Sequence, residues 1–243
     1  MANARRHSRR SALAVIATGL AASVLACASS EEKLPPVTPP ADTAPGPVSL
    51  PPPALDGATA VERALNARRS RREYSQGALQ VSELAQVLWA AQGVTQPATG
   101  FRAAPSAGAL YPLEVYVAVG NVAGLTAGVY KYEPQGHQLR RVCAGDRRAE
   151  LSGAGLNQSP IKAAAAVLVL AAVYGRTKAK YGERGVRYVH LEAGHAAQNV
   201  YLQAFCLGLG TVAIGAFDDQ AVATIAALAA DEEPLYLMPV GRL

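Results

Sequence analysis

The chain has 243 residues, 23 Lys and Arg against 18 Asp and Glu, and only 3 Cys. Four of the arginines (Arg5, Arg6, Arg9, Arg10) fall before residue 27, where no acid stands. From Cys27 onward the charge is nearly balanced, which removes the support a basic chain would give to nucleic-acid binding, and two further cysteines are too few for a disulfide scaffold or a cysteine-based zinc site.

The basic start precedes an apolar run, Ala12 to Ala26, shorter than the roughly 20 residues that span a bilayer. A basic head, an apolar middle and small residues before a cut site make residues 1–26 an expected export signal. "VLAC", Val24 to Cys27, resembles a lipobox, in which cleavage frees Cys27 to carry lipid; in an ordinary signal peptide Cys27 would be incidental. "SRRSALA" from Ser8 resembles a twin-arginine signal, with Ala12 where that pattern prefers Phe. The expected location is outside the cytoplasm, periplasmic or at the cell surface. Residues 27–49 are rich in proline, which lacks a backbone donor and favours polyproline II, so a semi-stiff tether is expected there. Residues 50–243 are long enough for one domain with its own core.

Along this body, Thr59 and Glu62 have the spacing of a capping box and predict the first helix start. "ARRSRREYS" follows. Its five-residue run Arg68, Arg69, Ser70, Arg71, Arg72 is either a solvated charge cluster or, if the chain extends here, a face on which Arg68, Ser70 and Arg72 converge to hold a phosphate monoester. "VSELAQVLWAAQG" predicts a second helix ended by Gly93. Then comes "RAAPSAGALYPLE", Arg102 to Glu114. Between Ala103 and Leu113 there is no charge and one aliphatic hydroxyl, Ser106, so this stretch suits a large flat group lying close to the backbone better than acid–base chemistry.

"EVYVAVG" predicts a strand, "GVYKYEPQGHQLRRV" a hairpin turning at Pro134 to Gly136, and "AAAAVLVLAAVY" a strand covered on both faces. "GRTKAKYGERGVRY" reads as a mobile polar loop, or as donors and proton carriers beside a substrate. "YVHLEAGHAAQNVYLQAFCLGLG" is the longest expected helix, closed by Gly208 and Gly210, with Cys206 as core filler. Within it His190, Glu192 and His195 lack a zinc-binding spacing, so surface or structural histidines are expected and no metal site. Gly208-x-Gly210-x-x-Ala213 follows a helix and precedes a strand, the reverse of the order a dinucleotide fingerprint needs. "DDQAVATIAALAA" predicts a helix capped by Asp218, and "EPLYLMPVG" a last strand. Helices and strands interleave without βαβ repetition, so the expected class is α+β, a mainly antiparallel sheet wrapped by helices.

"ARRSRREYS", "LWAAQGVT", "RAAPSAGALYPLEVYV", "KYGERGVRYVHLEAGHAAQNVYLQA", "LGLGTVAIGAFDD" and "PLYLMPVG" together resemble the FMN-dependent nitroreductase superfamily, its SagB-type (azoline dehydrogenase-like) branch in particular, over nearly all of residues 50–243. The resemblance implies an FMN oxidoreductase moving hydride between flavin N5 and a small organic substrate, with flavin at a homodimer interface. It implies a flavin ring along Pro105, Ser106, Ala107 and Gly108, and a phosphate held by the cluster of Arg68, Arg69, Ser70 and Arg72. Backbone groups of Ala213, Ile214, Gly215 and Ala216 would meet the flavin edge, with Gly215 where many relatives carry an acid. Arg242 is left to stand in for basic residues that relatives carry beyond the last strand. Lys180-Tyr181 matches a catalytic Lys-Tyr pair of the azoline-oxidising relatives. A non-catalytic flavin-binding or interaction module at a membrane surface is the alternative expectation.

Overall fold

The computed structural model describes residues 46–243. The expected export signal, Cys27 and most of the proline-rich tether lie outside the described residues. What is described is built on a seven-stranded sheet, all neighbours paired antiparallel, in the order Val48–Ser49, Gln138–Ala144, Gly128–Glu133, Leu113–Val119, Ala166–Ala172, Glu233–Arg242 and Leu209–Thr211.

In chain order the elements are β1 (Val48–Ser49), α1 (Val61–Ala67), β2 (Leu79–Gln80), α2 (Val81–Gln92), β3 (Val94–Gln96) and β4 (Phe101–Arg102). A single 3₁₀ turn at Ala107–Ala109 precedes β5 (Leu113–Val119), β6 (Val122–Ala123), β7 (Gly128–Glu133) and β8 (Gln138–Ala144). Then follow α3 (Arg148–Ala154), α4 (Ser159–Ala163), β9 (Ala166–Ala172), α5 (Tyr174–Tyr181), α6 (Arg184–Cys206), β10 (Leu209–Thr211), α7 (Asp219–Ile225) and β11 (Glu233–Arg242). β1 pairs with β8, so the last residues of the expected tether already belong to the sheet.

The centre of the sheet explains the unbroken apolar runs. β5 pairs with β9 from Leu113↔Ala172 to Val119↔Ala166, and β9 with β11. Side chains alternate across a strand. Leu113, Val115, Val117, Leu168, Leu170 and Met238 therefore enter one core, shared with α2 and α6, while Tyr116, Ala118, Val167, Val169 and Leu237 enter another, shared with Leu151 of α3, Ile161 of α4 and Val222 of α7. Both faces of the middle strands are covered, so alternation disappears from the sequence.

Four local expectations need correction. The first helix starts at Val61 with Ala60 as N-cap and no side-chain cap, so the Thr59/Glu62 box does not form; the capping box is found instead at Gln80 and Glu83 of α2. The stretch read as a loop or a donor cluster around Lys180 is helical through Tyr181, and the long helix begins at Arg184, before Tyr188. Cys206 is exposed at the end of α6, not core. Helix α7 stops at Ile225, although Asp218 does cap it, its carboxylate accepting from Ala221 N at 2.8 Å.

α5 and α6 meet closely because Gly185 has no side chain. A Cβ there would lie 2.9 Å from Lys178 N and from the Thr177 carbonyl carbon, both backbone atoms that cannot swing aside. Gly185→Ala is expected to destabilise the protein by about 1–3 kcal/mol, the usual cost of a methyl forced into a full space. Denaturant unfolding of the purified variant measures it.

Candidate functional site

Two groups of residues predicted from sequence are each held by their own contacts, one at the segment after α1 and one at the loop before β5. After Ala67 the chain leaves the helix and extends. Arg71 N donates to Thr211 O at 2.9 Å and Ser75 N to Arg242 O at 2.9 Å, so this segment runs along the ends of β10 and β11. Extended chain puts alternate residues on one side. The Arg68 guanidinium lies 5.0 Å above the Tyr201 ring of α6, and the Ser70 hydroxyl is 3.0 Å from Tyr201 Oη. Tyr201 Oη in turn accepts from Ala213 N at 2.7 Å. Arg68, Ser70, Tyr201 and the turn after β10 thus form one connected run.

Ser70, Arg71 and Arg72 also line an open pocket of about 460 Å³ with Glu73, Tyr74, Ser75 and Leu243. Not every predicted residue turns toward it. Arg69 folds back on its own chain, donating to Asn66 O and Arg68 O. Arg242 pairs with Glu83 at 2.7 Å and donates to Ala78 O, bracing the start of α2. Of the turn residues, Ala213 N is taken by Tyr201 and Ile214 N by Leu237 O, so the amides of Gly215 and Ala216 are the ones without a backbone partner among the described residues.

The second group centres on the loop from Pro105 to Tyr111. Gly108 has φ +64°, and Ala109 and Tyr111 are also left-handed at φ +53° and +46°. Non-glycine residues there carry strain, about 1–2 kcal/mol each, which something must hold in place. Two contacts do. Ser106 Oγ accepts from Tyr111 N at 2.8 Å, and Arg176 of α5 donates to Tyr111 O at 3.0 Å while pairing with Glu114. α5 is thereby tied to the loop, and its last turn brings Lys180 and Tyr181 onto Gly108. A Cβ on Gly108 would stand 2.8 Å from Tyr181 Oη and 3.0 Å from Lys180 Nζ. The glycine leaves room for them. Tyr181 is further seated edge-on against Tyr188, ring centres 5.1 Å apart.

Sequence reading missed Glu192. It was grouped with two histidines, yet His190 and His195 are exposed, His190 bonding Tyr174 Oη at 2.6 Å, while Glu192 is buried. The signal was present: Glu192 interrupts the stripe Val189, Ala193, Ala196, Val200 that α6 turns to the core. Burial pushes its carboxyl up to about 7, against the Ser106 hydrogen bond and the Arg102 charge, which pull down. Arg102 is pulled below the ordinary guanidinium value, first by its own burial. Among the described residues no group of three His, Cys, Asp or Glu residues could hold a metal ion.

A phosphorylated flavin fits the residues present. The donor set is right for a phosphate monoester, which guanidinium and hydroxyl groups bind by charge-assisted bonds. Thr211 Oγ1, buried and without a partner, sits on the strand next to them. The space beside Gly108 is taken by Tyr181 Oη and Lys180 Nζ, so a ring lying along this loop would meet those two groups.

A family model described as "Nitroreductase family" matches residues 65–242. A candidate nitroreductase of Methanocaldococcus jannaschii is 52% identical over 182 residues, 75% of this chain and 90% of that protein. Among solved structures, a candidate nitroreductase of Ralstonia eutropha superposes with TM-score 0.72 at 30% identity, covering 84% of this chain and 92% of that one. The Escherichia coli microcin synthetase McbBCD complex, solved with a truncated pro-microcin bound, contains a chain that superposes with TM-score 0.63 at 25% identity, over 79% of this chain and 76% of that one.

Proposed function

The chain belongs to the nitroreductase family, and from that premise we propose that it is an FMN-dependent oxidoreductase of the SagB-type branch, exchanging hydride with a small organic substrate. The observation that carries this reading is the seating of Lys180 and Tyr181 on Gly108, which joins the one proton-bearing pair of the sequence motifs to the loop suited to a flat ring.

FMN, when bound, supplies hydride exchange at its N5, and the protein contributes position, electrostatics and exclusion of water. Arg68, Ser70 and Arg72 grip the phosphate, with Tyr201 holding Ser70 and stacking under Arg68. Pro105 to Gly108 support the ring, and the Gly215 and Ala216 amides remain available to its polar edge. Tyr181 Oη or Lys180 Nζ takes or gives the proton that accompanies hydride transfer, a role that asks for a positioned side chain near the reacting atoms. Arg69 and Arg242 act structurally in this scheme.

A homodimer is part of the proposal. Val61 and Leu65 of α1 are 61% and 53% exposed and Leu191 of α6 is 52% exposed, apolar side chains that a second copy would cover. So is export, with Cys27 lipidated and residues 27–47 holding the body away from a membrane, either through the twin-arginine route or another.

The test is the absorption spectrum of the purified body. It is expected to be yellow and to release FMN on denaturation. Anaerobic mixing with NADPH then separates two chemistries: rapid bleaching assigns nitroreductase-like reduction, and its absence assigns dehydrogenation with reoxidation by oxygen. A colourless protein that ignores added FMN defeats the proposal.

A further inference from the structure

Behind the loop that faces the proposed flavin lies a carboxyl which that chemistry does not use. Glu192 is 2% exposed, and its Oε1 has no hydrogen-bond partner. The polar and charged groups facing it are Ser106 from the loop and Arg102 from β4. Arg102 is itself answered by Glu114 and Tyr111 and opposed by the like charge of Arg176, with its Nη1 on Gln92 at 3.0 Å and its Cζ 4.7 Å from the Tyr111 ring centre. Arg102 Nε, like Glu192 Oε1, is buried without a partner.

Ser106 is the link. Its oxygen already accepts from Tyr111 N at 2.8 Å. A hydroxyl has one proton to give and two acceptor positions. When Glu192 is ionised, that single proton goes to the carboxylate and the loop is closed on itself. When Glu192 is neutral, the carboxyl donates to the second acceptor position of Ser106, and the hydroxyl proton turns outward to whatever acceptor lies over the loop.

We propose that Glu192 is a positioning residue: its carboxyl sets which way the Ser106 hydroxyl points, and so holds the strained Ser106–Tyr111 loop in the shape that receives a flavin. The inference rests on the proposed flavin site and deepens it. Its carboxyl changes charge near neutrality, since burial pushes it up to about 7 from an ordinary value of 4.5. The direction of the linkage follows. Between these values the folded chain keeps a proton that the unfolded chain has lost, so the stabilisation is full below about 4.5 and disappears as pH rises through about 7. Over that window the unfolding equilibrium moves by roughly two to three orders of magnitude on account of Glu192.

The experiment uses the full chain as wild type, Glu192→Gln and Ser106→Ala. FMN dissociation constants are taken from quenching of flavin fluorescence between pH 5.5 and 8.5, and denaturant midpoints of the flavin-free protein over the same range. The wild type is expected to bind FMN with a severalfold change in affinity centred near pH 7. Glu192→Gln, whose amide donates to Ser106 as the neutral acid does, keeps the low-pH affinity within about threefold and loses the dependence. Ser106→Ala loses the dependence and about tenfold in affinity. A wild-type pH midpoint retained in either variant overturns the inference. Should the wild type bind no FMN at any pH, the flavin reading falls, and the Glu192–Ser106 coupling is then decided on stability alone: loss of the pH-dependent part in Glu192→Gln together with a shifted midpoint in Ser106→Ala supports it, and an unchanged profile in either variant sinks it.

Discussion

Arg68→Ala combined with Ser70→Ala is expected to weaken FMN binding by about a hundredfold or more while leaving the fold intact. Each side chain would supply a charge-assisted or hydroxyl bond to phosphate, and such bonds contribute about 1.5–3 kcal/mol when one partner is charged. Both also meet Tyr201, one over its ring and one at its hydroxyl, so their effects are coupled and the double variant loses less than the sum. Isothermal titration with FMN, set beside riboflavin as the phosphate-free control, measures the loss. The riboflavin affinity should barely change. Equal losses for both ligands would mean that the pair only packs Tyr201 and holds no phosphate.

Lys131→Met is expected to cost about 3–5 kcal/mol of folding stability, the usual result when one member of a buried pair is removed. Lys131 Nζ stands 2.6 Å from Glu232 Oε1 and 3.1 Å from Glu114 Oε2, and the Glu232 side chain is 3% exposed. Burial alone would push Glu232 up; bonds from Lys131, Tyr116 and Ala229 outweigh it and hold the carboxyl below the usual range. In the wild type, then, Glu232 stabilises the fold at neutral pH and that contribution fades as pH falls through its lowered value. Without Lys131 the sign reverses, because an unanswered buried carboxylate prefers its proton. The deficit of Lys131→Met should therefore shrink on acidification, and Glu232→Gln in the same chain should recover part of it. Chemical denaturation at pH 4.5 and pH 7.5 tests both statements.

Much of this architecture was legible in the sequence because the strands and long helices carry strong, uninterrupted patterns. The hairpin turning at Pro134 to Gly136, the two-faced burial of β9 and the Asp218 cap all appear where the residues put them. The meeting of Arg68 and Ser70 at Tyr201 was legible only conditionally, since it needs the chain to extend after Ala67, which depends on pairing with Thr211 and Arg242 far along the sequence. Arg69 and Arg242 could not be sorted from their neighbours by composition; a hydrogen bond to Asn66 O and a carboxylate at Glu83 decide their direction. The α5 helix was hidden by its low hydrophobicity, and it is held by Arg176 and by the Gly185 contact, which no local pattern announces. Glu192 stands between His190 and His195 in the sequence, and only its register with Val189, Ala193, Ala196 and Val200 on α6 sets it apart from them.

The extended run from Arg71 to Ser75 is fastened at both ends to residues from the other extremity of the body, Thr211 and Arg242. Nearly 170 positions of chain must therefore be translated between the first and last halves of that clasp. On the proposed flavin reading, nucleotide capture would be a closing event of maturation, because a nascent polypeptide that has the arginines but not yet Thr211 and Arg242 has nothing to brace the extended run.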